Sequence, residues 1–600
     1  MKNSKKSHNI PSKKKTIAQH SKERKWAVGI LLLITFLVYL PSLQNGFVTW
    51  DDNTYVYENE HLINMDVATM LTEPMAHNYH PLTMLSLAAN YAVSGFEPFG
   101  YHFTNLLLHL LNTLLVFWLL YTLTKRNVFI AFIAALLFGI HPMHIESVAW
   151  VSERKDLLYT LFFLPALLTY IRYIKTRQMG FYVATLVLFV LSLLSKPAAV
   201  IFPIVLFAFD FWYKRRWSVK LLVEKLPFLI LAFGIGLYTV KIQNNLDAVA
   251  SISQYSFIER ILFAAYGFNF YLLKFFVPYP LLPFYAHPTP NMGLPIVYWL
   301  SPLVLLGIWA TIFVVWRRSK VMVFGMAFYL LNLLLVLQLV TIGGAVVAER
   351  YTYMPYIGLG LILAYWWKRW ISCYPSHKQI INGVLGVWLL LLGVYSFQHL
   401  KVWKSGETLW GYQVQQKPKG EKGLVNMGVY YIEEYKKSRT NRQLIDKALQ
   451  YFNEALKYHP NDPHALNERA GVYFELQDIE RGFNDVNLLI EVDPSYYQAY
   501  LNRAILYSIS NNHAAAVKDY TQYLKKKTED DRAYNWRGIS YLQLQNFDKA
   551  LTDFNKAIKL KPTVGEYFFN RGKANAALGK DGQAQQDMQR AKALGFVVPN

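Results

Sequence analysis

Residues 26–403 hold 24 Lys and Arg and 15 Asp and Glu in 378 positions, and long stretches between them carry no charge. A helix needs roughly 20 mainly apolar residues to cross a bilayer. In lipid the backbone must satisfy its own hydrogen bonds, so a chain this apolar folds as a bundle of helices. Runs of the required kind fall at 26–43, 102–122, 128–144, 156–173, 179–195, 197–213, 226–242, 295–316, 321–341, 355–370 and 380–397. The expectation is about 11 spans.

Basic clusters give the runs a direction. Lys13-Lys14-Lys15 and Arg24-Lys25 precede the first run. Lys125-Arg126, Arg172 to Arg177, Lys214-Arg215-Arg216, Arg317-Arg318-Lys320 and Lys368-Arg369 follow the second, fourth, sixth, eighth and tenth. Positive charge marks the cytoplasmic side, so the N-terminus is expected inside and residues 398–600 outside. Residues 257–277 are apolar too, but their flanks 243–256 and 278–294 hold no Lys or Arg. Both flanks then look external, and the segment reads as interfacial or re-entrant.

The chain changes solvent near residue 404. Residues 404–600 hold 28 Lys and Arg and 23 Asp and Glu in 197 positions, a density suited to water. Three parts follow: a basic tail at 1–25, a polytopic membrane domain at 26–403 and a water-soluble domain at 404–600. The tail, with 9 basic residues against 1 acid, suits anionic lipid headgroups. The net charge of +22 is spread over the tail and the inter-run clusters, so it is no nucleic-acid signal. An apolar share of 54% excludes a disordered chain, and a lone Cys373 excludes a disulfide scaffold.

The soluble part repeats every 34 residues. Arg469, Arg503, Arg537 and Arg571 recur at that interval, each followed by Ala470, Ala504, Gly538 or Gly572. Tyr473, Tyr507 and Tyr541 keep the register, as do Ala516, Ala550 and Ala584, and Pro460, Pro494 and Pro562 close three helix pairs. This is the tetratricopeptide pattern. About five helix pairs should stack into an all-α solenoid with a concave face suited to a peptide or protein partner. The periodic Tyr, Ala and Gly residues read as packing. The recurrent Arg either pairs within the scaffold or lines the groove.

Candidate chemistry gathers on the side where basic residues should be scarce. The first external loop opens Asn45-Gly46-Phe47-Val48-Thr49-Trp50-Asp51-Asp52 and continues to His77, His80 and, later, His102. A carboxylate there, Asp51 or Asp52, can act as general base toward an acceptor hydroxyl. The third run ends His141-Pro142-Met143-His144-Ile145-Glu146, followed by Glu153-Arg154-Lys155-Asp156. Glu349-Arg350 and Lys196 lie on the same side. Basic residues there call for an anionic partner: a lipid-linked phosphate held by Arg350, Arg154, Lys155 and Lys196, or internal pairs with Glu146, Glu153 and Glu349. No metal is expected, because the His spacing across Pro142 is a poor ligand signature. No glycine-rich nucleotide loop, nucleophile elbow or HExxH motif occurs.

Asp51-Asp52, the block LFGIHPMHIESVAWVSERKDLL at 137–158, the block AERYTYMP at 348–355 and the terminal repeats occur in that order. This arrangement resembles the transmembrane and tetratricopeptide repeat-containing O-mannosyltransferases and their bacterial relatives in the membrane-embedded GT-C class. The resemblance covers nearly the whole chain, and the 137–158 block is its most specific part. It implies a GT-C-like helical membrane domain. It implies transfer of a hexose such as mannose from a polyprenyl- or dolichyl-phosphate sugar to a hydroxyl acceptor, for instance on a protein, with no metal and no cofactor besides that co-substrate. It places the base at Asp51 or Asp52 and the donor phosphate at Arg350 and Arg154, and it suggests a bacterial inner membrane with external repeats. Two other functions suit the same features: a non-catalytic membrane scaffold whose repeats recruit partners, and a lipid-linked saccharide polymerase or ligase.

Overall fold

The computed structural model describes residues 13–75, 78–245, 255–288, 293–316, 319–339 and 343–597. Residues 1–12, His77 and Arg317-Arg318 lie outside the described residues. The chain divides into two compact units, Met1–Gln416 and Lys417–Asn600.

Helices build the first unit: α1 (Lys13–Tyr39), α2 (Pro81–Ser94), α3 (Pro98–Leu123), α4 (Val128–Ile140), α5 (Arg154–Thr176) and α6 (Met179–Ser195). They continue with α7 (Phe202–Trp212), α8 (Leu226–Asn245), α9 (Phe257–Phe276), α10 (Ile296–Trp316), α11 (Lys320–Leu333), α12 (Tyr356–Cys373), α13 (Lys378–His399) and α14 (Gly406–Gln416). A ribbon of β1 (Tyr285–Ala286) and β2 (Ala345–Val347) is antiparallel and sets Tyr285 opposite Val347.

Among the described residues five helices are long and apolar enough to cross a membrane, Ser21–Gln44, Pro98–Leu123, Val151–Thr176, Ile296–Val314 and Pro375–Lys404. A sixth arises if Val128–Ile140 and Pro142–Ala149, bent by 58°, form one span. Four more apolar helices are shorter, Met179–Ser195, Pro197–Trp212, Leu226–Ile242 and Lys320–Val336. Five or six full-length spans is fewer than the eleven runs in the sequence, and the breaks explain part of the difference. Pro142 has no N–H to continue α4, and the His141 ring accepts from the Met143 N–H at 3.2 Å to cap the next turn. The Lys196-Pro197 step ends α6 in the same way.

Apolar helices need close contact to replace the hydrophobic drive that lipid removes. Helices α11 and α12 obtain it at Gly325 and Gly358, where a Cβ on Gly358 would collide with the Gly325 carbonyl. Segment 257–277, read from sequence as interfacial, is helix α9 with carbonyls bonded from several directions. The Tyr329 hydroxyl donates to the Phe268 carbonyl at 3.1 Å and the Trp388 indole to the Phe276 carbonyl at 3.0 Å.

Helix α5 joins two polar networks through an apolar stretch. Asp156 stands in its first turn. Tyr170 stands 14 residues on, roughly 21 Å along the axis. There the Tyr170 hydroxyl donates to Asp210 at 2.7 Å, and Arg215 and Lys225 reach Asp210 at 2.9 Å. Arg215 also binds Glu224 at 2.7 Å. Arg215 belongs to a basic cluster that the sequence reading assigns to the cytoplasmic side.

The second unit is five helix pairs, from Glu421–Ser438 to Asp581–Ala593. Small residues set their spacing: a Cβ on Gly538 would lie 2.7 Å from the Phe554 ring. The recurrent arginines pair within the scaffold. Arg469, Arg503, Arg537 and Arg571 each hold the aspartate 16 residues later, Asp485, Asp519, Asp553 and Asp587, through two hydrogen bonds. A third N–H of each reaches back 16 residues, to Asn453, Asn487, Thr521 and Asn555. Each guanidinium therefore ties its own pair of helices to the preceding pair.

Candidate active site

The loop after α1 is fixed by its own aspartate. Asp52 is buried. Its Oδ2 accepts the Val48 N–H at 3.0 Å, and its Oδ1 accepts the Ser152 N–H at 2.9 Å and the Ser152 hydroxyl at 2.5 Å. Burial raises the Asp52 carboxyl to about 6 even though these three bonds pull it down. Asp51, by contrast, is only partly buried, and its charge acts on Lys155 and Tyr55. The adjacent aspartates thus have different tasks. Asp52 clamps the loop to residue 152, and Asp51 faces the charges that follow it.

Those charges form one cluster around Glu153. Glu153 binds Lys155 at 3.1 Å, Lys196 at 3.4 Å and the Arg350 Nε at 3.4 Å. Lys196 also holds Asp156 at 2.5 Å. Arg350 pairs through Nη1 with Glu146 and gives its backbone N–H to the same carboxylate at 2.8 Å. Three of the four predicted phosphate ligands therefore converge, with internal carboxylate partners. The cluster is open mainly on its cationic side: the Lys155, Arg350 and Lys196 side chains are 10%, 17% and 18% exposed, against 1–4% for Glu146, Glu153 and Asp156.

Arg154 is not in this group. Its guanidinium is buried and turned to neutral acceptors: Asn105 Oδ1 at 2.8 Å, the Ser86 carbonyl at 3.0 Å, the Tyr101 carbonyl at 2.9 Å, and Asn90. Successive residues on a helix face different ways, so Arg154 ties α5 to α2 and α3 while Lys155 faces the cluster.

The histidines separate in the same manner. His141 Nε2 donates to the Phe275 carbonyl at 3.0 Å and His144 Nδ1 to the Phe138 carbonyl at 2.8 Å, so both brace the α4 break. His102 bonds the Gly46 carbonyl at 3.2 Å. His80 is buried against Tyr55, with ring centroids 5.2 Å apart and no hydrogen-bond partner on either ring nitrogen. Burial and the Lys155 charge push it down to about 3, which keeps it neutral. Among the described residues no three His, Cys, Asp or Glu side chains are grouped to hold a metal ion. Glu349 accepts from the Tyr285 hydroxyl at 3.1 Å, and its second oxygen has no hydrogen-bond partner. Burial, then the Glu146 charge, raise its carboxyl well above the usual range.

An aromatic floor adjoins the cluster. Trp50, next to Asp51, stacks on Trp150 with centroids 4.3 Å apart. Arg350 lies 5.6 Å and Lys155 5.9 Å from the Trp150 ring centroid. The buried Trp150 indole N–H has no hydrogen-bond partner. Sequence reasoning did not assign Ser152, Trp150 or Trp50 a role. The signal available was their position inside or beside the two blocks that carry the resemblance.

The comparisons with known proteins agree with this architecture. Tetratricopeptide repeat family profiles match residues 440–496 and 531–564. Human protein O-mannosyl-transferase TMTC3 is 23% identical over 635 residues, covering 94% of this chain and 68% of that protein. The chain is TMTC-like. Mouse TMTC3 aligns over 65% of its own length at 23% identity. Mouse protein O-mannosyl-transferase TMTC1 is 42% identical over 106 residues, covering 17% of this chain and 11% of the relative. The chain thus spans about two thirds of the two TMTC3 relatives and a small part of TMTC1.

Proposed function

We propose that this chain is a membrane glycosyltransferase that moves a hexose, mannose by the names of its relatives, from a polyprenyl-phosphate donor to a hydroxyl of a polypeptide. The observation that carries this reading is the cluster itself. Lys155, Lys196 and Arg350 form one cluster with 10–18% of each side chain exposed, Asp51 acts on Lys155, and Lys155 and Arg350 lie against the Trp150 ring that Trp50 stacks on.

The chemistry follows from those groups. Asp51 accepts the proton of the acceptor hydroxyl. The oxygen attacks the anomeric carbon, and the bond from that carbon to the phosphate oxygen breaks. The lipid phosphate leaves with the electron pair, and the three cations stabilise the charge it gains. Asp52 is the poorer base because it is closed to solvent, whereas Asp51 is partly exposed and within reach of an acceptor. Trp50, the partly exposed ring of the pair, gives the apolar face of a sugar ring a surface, with the buried Trp150 stacked behind it.

The membrane side can be argued without counting spans. The Gly46 N–H donates to the Lys404 carbonyl at 2.8 Å, so the chain leaves the first unit on the side that carries Asp51. The basic residues before α1 favour the external face for that side.

One other reading has an observation in its favour. The cations are ion-paired internally, as they would be in a non-catalytic scaffold. The test is to incubate the purified full chain with polyprenyl-phosphate [14C]mannose and a Ser/Thr-rich peptide, and to identify the lipid that copurifies. Labelled peptide and a sugar monophosphate lipid support the transferase. Absence of both supports the scaffold, and a copurifying diphosphate oligosaccharide lipid supports a polymerase or ligase.

A further inference from the structure

Helix α14, the last element before the repeats, reaches both sides of the cluster. It rests on buried aromatic and amide groups, and Trp403, Trp410 and Gln413 are all closed to solvent. On one side the Trp410 indole donates to the Thr49 carbonyl at 3.2 Å, and its ring packs on Trp50 with centroids 5.1 Å apart. Just before the helix, the Lys404 carbonyl accepts the Gly46 N–H at 2.8 Å and the Leu400 carbonyl accepts from Asn45 at 3.4 Å. Thr49 and Trp50 immediately precede Asp51, so every one of these bonds falls on the loop that carries it.

On the other side the Gln413 amide closes a reciprocal pair with the Phe284 backbone. Its oxygen accepts the Phe284 N–H at 3.2 Å and its nitrogen donates to the Phe284 carbonyl at 3.0 Å. A side-chain amide bonded to both groups of one residue fixes that residue much as a neighbouring strand would. Phe284 leads directly into β1. Tyr285 there stands opposite Val347 and gives its hydroxyl to Glu349 at 3.1 Å. Two residues past Val347 the chain enters Glu349-Arg350. One helix face, with Trp410 and Gln413 three positions apart and therefore adjacent, thus grips the two segments that meet at the cluster.

We propose that Trp410 and Gln413 are positioning residues for the reaction centre, Trp410 fixing the Asp51 loop and Gln413 fixing the ribbon that sets Glu349 and Arg350. This rests on the transferase reading for its consequence, since the two segments carry the base and a phosphate ligand. The division of labour predicts a division of effects. Trp410→Phe keeps an aromatic ring against Trp50 and loses the indole N–H with the five-membered ring that carries it. It lowers kcat about tenfold, with the donor KM changed by no more than about twofold, because the base is displaced and the phosphate ligands are not. Gln413→Leu raises the donor KM about tenfold with a smaller change in kcat. Gln413→Glu still accepts the Phe284 N–H but cannot donate to its carbonyl, and its KM falls between.

The deciding measurement does not need turnover. Backbone amide exchange of the full chain, followed by mass spectrometry, reads the two segments separately. Trp410→Phe should speed exchange about tenfold over residues 46–52 and leave 283–287 and 345–350 unchanged, and Gln413→Leu should do the reverse. Unchanged exchange in both windows, or the same acceleration of both windows by either variant, overturns the proposal. An inactive wild-type chain whose variants show the divided exchange pattern would keep the positioning role and reject the transferase reading. An active wild type whose variants exchange and turn over normally would do the opposite.

Discussion

Ser152 gives both its backbone N–H and its hydroxyl to one oxygen of Asp52, at 2.9 and 2.5 Å, across 100 residues of chain. The other oxygen takes the Val48 N–H. One carboxylate therefore joins the loop after the first helix to the segment that enters α5, and it brings Asp51 within electrostatic reach of Lys155. Asp52→Ala removes the acceptor and leaves the two N–H groups with no partner. Each such buried group costs about 1–3 kcal/mol. The expected result is a clear fall in the unfolding midpoint of the first unit, read by the fluorescence of the nearby tryptophans. Ser152→Ala keeps the N–H bond and should fall by less.

The pH dependence of the clamp has a definite sign. Burial raises Asp52 from 3.8 to about 6. The fold thus favours its protonated form. Its contribution to stability is fully present below pH 3.8 and is lost as the pH rises through about 6. Turnover moves the other way, because the ionised form accepts all three bonds and a protonated carboxyl gives up one acceptor site. The rate of sugar transfer should therefore fall as the pH drops below about 6. Asp52→Asn should lack that limb in a pH profile of kcat.

Arg350 separates charge from geometry. It meets Glu146 through Nη1 and its own backbone N–H, and Glu153 through Nε. Arg350→Ala strands the buried Glu146 carboxylate, a loss of about 3–5 kcal/mol that should appear as poor folding. Arg350→Lys keeps the charge but not the planar fork. It should fold, with the donor KM raised about tenfold in a steady-state assay.

The repeat arginines make a complementary prediction. Arg537 holds Asp553 at 2.8 and 2.7 Å and Thr521 at 3.0 Å. Arg537→Ala should cost the repeat unit about 1.5–3 kcal/mol. Asp553→Ala should cost little more once Arg537 is gone. A double-mutant cycle in denaturant on the full chain measures that coupling. Additive losses would return Arg537 to the groove.

The parts of this molecule that repeat or alternate locally were legible in the sequence. The 34-residue interval gave the five helix pairs, and the charge-poor stretch gave a helical first unit. The site was legible as a set of residues but not as an arrangement. Asp51, Lys155, Lys196 and Arg350 could be named from their scarcity on one side. Yet Arg154 has the same chemistry as its neighbour and faces away from it. That choice is made by Asn105, Ser86 and Asn90 on other helices, and no spacing within 150–156 encodes it. Ser152 and Gln413 were missed for the same reason, since each acts on a partner more than 99 positions away. The recurrent Arg could not be placed from its period alone. The aspartates that decide its role carry the same 34-residue period, and the two series had to be read together.

The central claim is that Asp51 is the base and Asp52 its clamp. Sugar transfer from polyprenyl-phosphate mannose should be compared for Asp51→Asn, Asp52→Asn and the unaltered chain, with unfolding midpoints measured on the same samples. The account predicts that Asp51→Asn loses about 100-fold or more in kcat with its midpoint unmoved, while Asp52→Asn loses midpoint and keeps measurable turnover. Full activity in Asp51→Asn, or loss of all turnover in Asp52→Asn with an unchanged midpoint, would contradict it.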